Sequence, residues 1–80
     1  MPVNLKLKGL RVAYGYSQAT LAKKIGISKN AYNFKERGKR EFNPPEMESI
    51  RNLFEMTPDD FVNIFFAHRV NVSETISANE

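Results

Sequence analysis

Between Ser17 and Gly38 the chain reads SQATLAKKIGISKNAYNFKERG, and no other stretch restricts the fold as tightly. Ser17 is a good helix N-cap, and Leu21, Ala22 and Ile25 follow at spacings that gather them on one side of a helix. Gly26 supplies the left-handed backbone that a sharp turn between helices needs, Ser28 caps a second helix, and Gly38 closes it. Two short helices joined through the three residues Gly26-Ile27-Ser28 match the helix-turn-helix plan.

Charge is distributed unevenly along the same chain. Residues 1–40 carry ten basic side chains against the single acid Glu36, whereas residues 41–80 carry two basic side chains, Arg51 and Arg69, against eight acids. The halves stand at +9 and −6, giving the net +3 of the whole. A basic half that contains the second helix of the motif is the electrostatic footprint of a phosphate-binding face. Solvated surface charge alone gives no reason for such segregation. In a helix-turn-helix the second helix lies in the major groove, so sequence-specific binding of double-stranded DNA is the leading expectation.

Length and composition set the remaining bounds. Eighty residues suit one small domain with a limited core. Without cysteine, neither a disulfide scaffold nor a thiolate zinc site is available. No apolar run approaches the ~20 residues of a membrane span, and MPVNLKLKG lacks the apolar stretch of a signal peptide. These features point to a cytoplasmic protein with no membrane partner, no cofactor and no small-molecule ligand.

The pattern predicts an all-α domain of five helices over residues 1–67, followed by a polar tail, 68–80, ordered at most in part. The first helix is expected from Asn4, a candidate cap, to Tyr14, with Leu7, Leu10 and Tyr14 on its buried stripe. After the motif, Phe42 is expected to tuck onto the core. Asn43 then caps a fourth helix with Pro44 or Pro45 in its first turn and Met47, Ile50, Leu53 and Phe54 facing inward. Thr57 caps a fifth, with Pro58 first, Asp59 and Asp60 at its positive end, and Phe61, Ile64 and Phe65 inward.

Projection of the motif's second helix at ~100° per residue assigns its faces. With Tyr32 at the centre of the buried side, Ser28, Lys35 and Glu36 fall near it, and Asn30, Asn33, Phe34 and Arg37 fall opposite, with Lys29 between. Asparagine can bond adenine through two atoms, and arginine can bond guanine or a phosphate. Phe34 has two readings, a contact to a thymine methyl or a side chain folded sideways into the core. Gln18 also has two, an ordinary first-turn residue or an amide that holds a phosphate together with helix-end N–H groups.

The ordered set Leu10-Arg11, Ser17-Gln18, Leu21-Ala22, Gly26-Ile27-Ser28 and Glu36-Arg37-Gly38-Lys39, continued by Leu53-Phe54 and Thr57-Pro58-Asp59-Asp60-Phe61, resembles the Cro and lambda-repressor-like (XRE-group) helix-turn-helix family. The resemblance covers roughly residues 5–66 and is greatest to the small single-domain phage and prophage versions. It implies a five-helix lambda-repressor-like domain, with base contacts from Lys29, Asn30, Asn33 and Phe34. Phosphate contacts are implied for Gln18, Ser28, Arg37, Lys39 and Arg40, and an ion pair between Arg11 and Glu36. Two positions depart from the family pattern: Arg37 stands where asparagine is common, and Lys35 where a bulky apolar residue is common. Lys35 is expected to cover that surface with its stem while its ammonium reaches solvent.

Other functions have less support. His68 is the lone histidine and sits away from Ser17 or any other nucleophile. Asp59 and Asp60 read as helix-end acids, so an enzyme is not expected. A protein-interaction module of antitoxin-like or coactivator-like type is the alternative, using the aromatic second half as its surface. If the chain is a regulator, palindromic operators follow from geometry: one reading helix spans about half a turn of groove, and helix-turn-helix proteins usually pair as twofold dimers with half-sites ~34 Å apart. An inverted-repeat operator bound by a homodimeric repressor is therefore expected, with Phe61, Phe65 and Phe66 as the candidate dimer interface and Val70 and Val72 as a further contact.

Overall fold

The computed structural model describes residues 4–66, and Val70, Val72, His68 and the expected tail lie outside the described residues. Five helices follow one another: α1 (Leu5–Ala13), α2 (Gln18–Ile25), α3 (Lys29–Glu36), α4 (Pro44–Leu53) and α5 (Pro58–Phe65), with no strand among the described residues. Each begins on a side-chain cap that accepts a hydrogen bond from a first-turn N–H: Asn4, Ser17, Ser28, Asn43 and Thr57. α2 ends on Gly26 at φ 81°, the left-handed geometry that lets the chain reverse into α3 within three residues. α4 starts with both prolines and a reciprocal capping box, in which Asn43 accepts from the Glu46 N–H and Glu46 accepts from that of Asn43.

The core is built from Leu7, Leu21, Ala22, Tyr32, Phe42, Ile50, Phe54, Met56 and Phe65, so every helix contributes to it. Leu7, Leu21, Tyr32 and Ile50 are fully covered. An aromatic series joins the late helices to α3: Tyr32 meets Phe42 at 5.8 Å, and Phe42 meets Phe65 edge-on at 5.6 Å. Asn4 fastens three elements at once. Its side-chain oxygen caps α1, its Nδ2 donates to the Ile64 carbonyl at 2.8 Å, and its backbone N–H donates to the Glu36 carbonyl at 2.8 Å.

Two expectations from the sequence change here. Tyr14 is not on the buried stripe but 48% exposed, its ring lying edge-on against Phe54. It is the C-cap, at the end of α1 where the ring lies at the margin of the core, and Arg11 fills the inward position instead. Lys35 does not send its ammonium to solvent. Its Nζ sits 2.6 Å from both Glu46 carboxylate oxygens, with side-chain exposures of 13% and 9%, because Glu46 is turned inward by the capping box.

Among the described residues the most enclosed charged side chain is Glu36, 2% exposed. Its carboxylate accepts from Arg11 Nε (2.9 Å), Arg11 Nη2 (3.2 Å), Tyr32 Oη (2.7 Å) and Gln18 Nε2 (2.9 Å), two donors on each oxygen. A carboxylate has about four lone-pair sites, so this one is saturated. Arg11 Nη1 donates in addition to the Tyr16 carbonyl at 2.8 Å, tying the α1–α2 turn to the same group. Burial by itself pushes the Glu36 carboxyl up, but the donors from Arg11, Tyr32 and Gln18 outweigh it and hold the group below the usual carboxylate range. Burial first, and then its bond to Glu36, push the Tyr32 phenol up, so it stays a donor.

Three outcomes are expected. Glu36→Ala strands a buried guanidinium and a buried phenol, and thermal melting should show a loss of about 3 kcal/mol or more. The contribution of Glu36 is complete above the unfolded carboxyl value of about 4.3 and disappears as pH falls through its lower folded value, so Glu36→Gln should flatten the acid limb of the stability–pH curve. Removal of the second pair separates two roles of Glu46. Glu46→Ala should cost roughly 2–3 kcal/mol by losing the cap and uncovering the Lys35 ammonium, whereas Glu46→Gln, which keeps an acceptor for both, should lose clearly less in the same melts.

Candidate nucleic-acid interface

The turn at Gly26 and the packing of α2 on α3 leave one side of α3 uncovered. Lys29, Asn30, Phe34 and Arg37 are exposed there. At 3.6 residues per turn, positions 30, 34 and 37 form one stripe opposite Tyr32 and Glu36. Phe34 is 43% exposed and outside the core cluster, so its side chain is not folded sideways into the core. An aromatic ring open to solvent beside Asn30 and Arg37 provides an apolar spot among hydrogen-bonding groups.

Asn33 differs from the projection. It is half-buried rather than fully outward, because its Nδ2 donates to Gln18 Oε1 at 3.0 Å across the α2–α3 junction. Gln18 in turn donates to Glu36, so its amide is engaged on both sides at the start of α2. Its second Nε2 hydrogen is the one left to meet an anion. Ser28 caps α3 by accepting from the Ala31 N–H at 3.0 Å, which leaves its own hydroxyl proton to donate.

Beyond α3 the chain turns through Gly38, at φ 81°, into Lys39 and Arg40, both exposed. Among the described residues no ion pair ties down Lys29, Arg37, Lys39 or Arg40. These four cations flank one continuous polar face, from the start of α3 to the turn behind it. The basic residues that do form buried pairs, Arg11 and Lys35, lie on the opposite side of α3. Arg11 and Glu36 are brought together as expected; the links Gln18–Glu36, Gln18–Asn33 and Lys35–Glu46 are not legible in the sequence, since spacing along the chain carries no signal for contacts between helices.

The candidate dimer residues divide. Phe65 is buried at 9% exposure against Phe42 and Phe61, so it is a core residue and not available to a second protomer. Its side chain follows α5 inward as the helical period requires. Phe61 and Phe66 are half-buried and 5.8 Å apart, and Val62 beside them is 40% exposed.

Among the described residues no cluster of histidine, cysteine or acidic side chains could hold a metal ion, and no helix is long and apolar enough to cross a membrane. Comparison with curated proteins and with solved structures finds no match. A helix-turn-helix family model matches residues 7–61, from the middle of α1 into α5. With more than half of its 80 residues matched and an all-α, lambda-repressor-like arrangement of five helices, this chain belongs to the XRE-type, Cro/CI-like helix-turn-helix family of DNA-binding regulators.

Proposed function

We propose that the protein is a transcriptional repressor of phage or prophage type that recognises an inverted-repeat operator as a homodimer. The observation that carries this reading is the exposed stripe of α3: amide, aromatic and guanidinium groups at Asn30, Phe34 and Arg37, flanked by exposed cations and backed by a rigid buried network. Lys29, Asn30, Asn33 and Phe34 meet base edges in the major groove, with Phe34 suited to a thymine methyl. Gln18, Ser28, Arg37, Lys39 and Arg40 meet phosphates and fix the register of the helix without choosing sequence.

The length of the reading helix supports dimerisation. α3 has eight residues, about 12 Å at 1.5 Å per residue, which limits it to a few base pairs. A twofold pair with half-sites ~34 Å apart gives the length that a selective site needs. With Phe65 assigned to the core, the remaining candidates are Phe61 and Phe66, both half-buried against the core, together with the exposed Val62.

Selection from random duplexes at fixed salt tests this directly: the expected product is a palindromic motif, and recovery of no motif overturns the reading. Asn30→Ala should weaken the selected site by ~1–3 kcal/mol and leave random duplex nearly unchanged. Lys39→Ala should weaken both alike and reduce the salt slope by about one unit. Equal losses on both duplexes for Asn30→Ala would remove it from base reading.

A further inference from the structure

Asn33 donates to Gln18, and Gln18 donates to Glu36. The two ends of a carboxamide are alike in shape, so a chain of amides alone can run in either direction. Here one end has no choice. Glu36, ionised against Arg11, only accepts. Gln18 must therefore turn its nitrogen toward Glu36 and its oxygen toward Asn33, and Asn33 must answer with its nitrogen. Reversing Asn33 would set its Oδ1 against Gln18 Oε1, and reversing both amides would set Gln18 Oε1 against the carboxylate. Either change leaves acceptors facing acceptors in a half-buried junction.

With one Nδ2 hydrogen committed to Gln18, Asn33 retains Oδ1 and a second hydrogen, one acceptor and one donor. Adenine presents the complement, the N6–H donor and the N7 acceptor, whereas guanine presents two acceptors, O6 and N7. An unrestrained asparagine can turn its two N–H groups toward guanine; one held by Gln18 cannot. We propose that Gln18 and Glu36 are positioning residues that lock the hydrogen-bond polarity of Asn33, so that α3 accepts adenine and rejects guanine at the step Asn33 reads. This inference rests on the DNA-reading role proposed above. It extends the function of the buried ion pair from holding the fold to setting a base preference.

The test compares wild type, Asn33→Ala, Gln18→Met and the double variant at fixed salt. Each binds the selected duplex and its copies with single A·T pairs changed to G·C. At one position wild type should prefer adenine by on the order of tenfold or more, a preference that Asn33→Ala removes. Gln18→Met should reduce it to about threefold or less, and the double variant should match Asn33→Ala. If Gln18 served only to hold a phosphate, its removal would lower all affinities together and leave the adenine-to-guanine ratio intact. An adenine preference that survives Gln18→Met in this way overturns the lock while leaving the DNA reading in place; absence of any selected sequence overturns that reading as well. A second measurement needs no DNA. Asn33→Asp places an acceptor against Gln18 Oε1 and should melt a few degrees below Asn33→Ala, and that gap should narrow in the Gln18→Met background. A gap of equal size in both backgrounds overturns the lock whatever the protein binds.

Discussion

The Glu36 carboxylate is the point on which the domain is assembled. Arg11 reaches it from α1, Gln18 from α2 and Tyr32 from its own helix, and each oxygen receives two donors. A buried charge pair gains little over well-packed apolar residues, because desolvation opposes the attraction, but losing one partner is expensive. What the pair provides is direction. Hydrophobic contacts at Leu7, Leu21 and Tyr32 press three helices together without fixing their rotation, whereas a saturated carboxylate accepts its donors in one arrangement only.

The neighbouring residue completes the constraint. Lys35 and Glu36 lie about 100° apart around α3 and are fastened to different elements, Lys35 to Glu46 at the start of α4 and Glu36 to α1 and α2. α3 is thereby fixed about its own axis from two sides, and the stripe through Asn30, Phe34 and Arg37 is the face that remains. The charge segregation visible along the chain acquires a structural meaning: cations behind α3 are consumed in buried pairs, and Lys29, Arg37, Lys39 and Arg40 are left on the exposed side. A rigid support of this kind suits a reading surface, where small displacements of a donor weaken discrimination.

Much of this is legible from the residues. The five caps, Asn4, Ser17, Ser28, Asn43 and Thr57, mark helix starts because short polar side chains satisfy first-turn N–H groups locally. The faces of α3 follow from its period, with Glu36 inward and Asn30 outward. The exceptions are informative. Met56 is buried and Glu55 has φ 51° in the α4–α5 turn, where a glycine would have signalled the left-handed residue. Lys35 and Glu46 each look like solvent-facing charges when read singly; only the approach of α4 to α3 makes them a pair. Asn33 projects outward by angle, yet its side chain bends back to an amide fifteen positions earlier. Local chemistry writes caps and faces into the sequence, while contacts between helices depend on the packing that those faces produce.

Arg11 and Glu36 act as one unit, and a double-mutant cycle on folding stability measures this most directly. Arg11→Met, Glu36→Gln and the double variant, compared with wild type in denaturant melts near neutral pH, give the coupling energy of the pair. Strong non-additivity is expected, with a coupling of roughly 2–3 kcal/mol, because either single change abandons a buried charge that the double change removes. Additive effects, agreeing within about 0.5 kcal/mol, would contradict the view that this pair sets the arrangement of α1, α2 and α3.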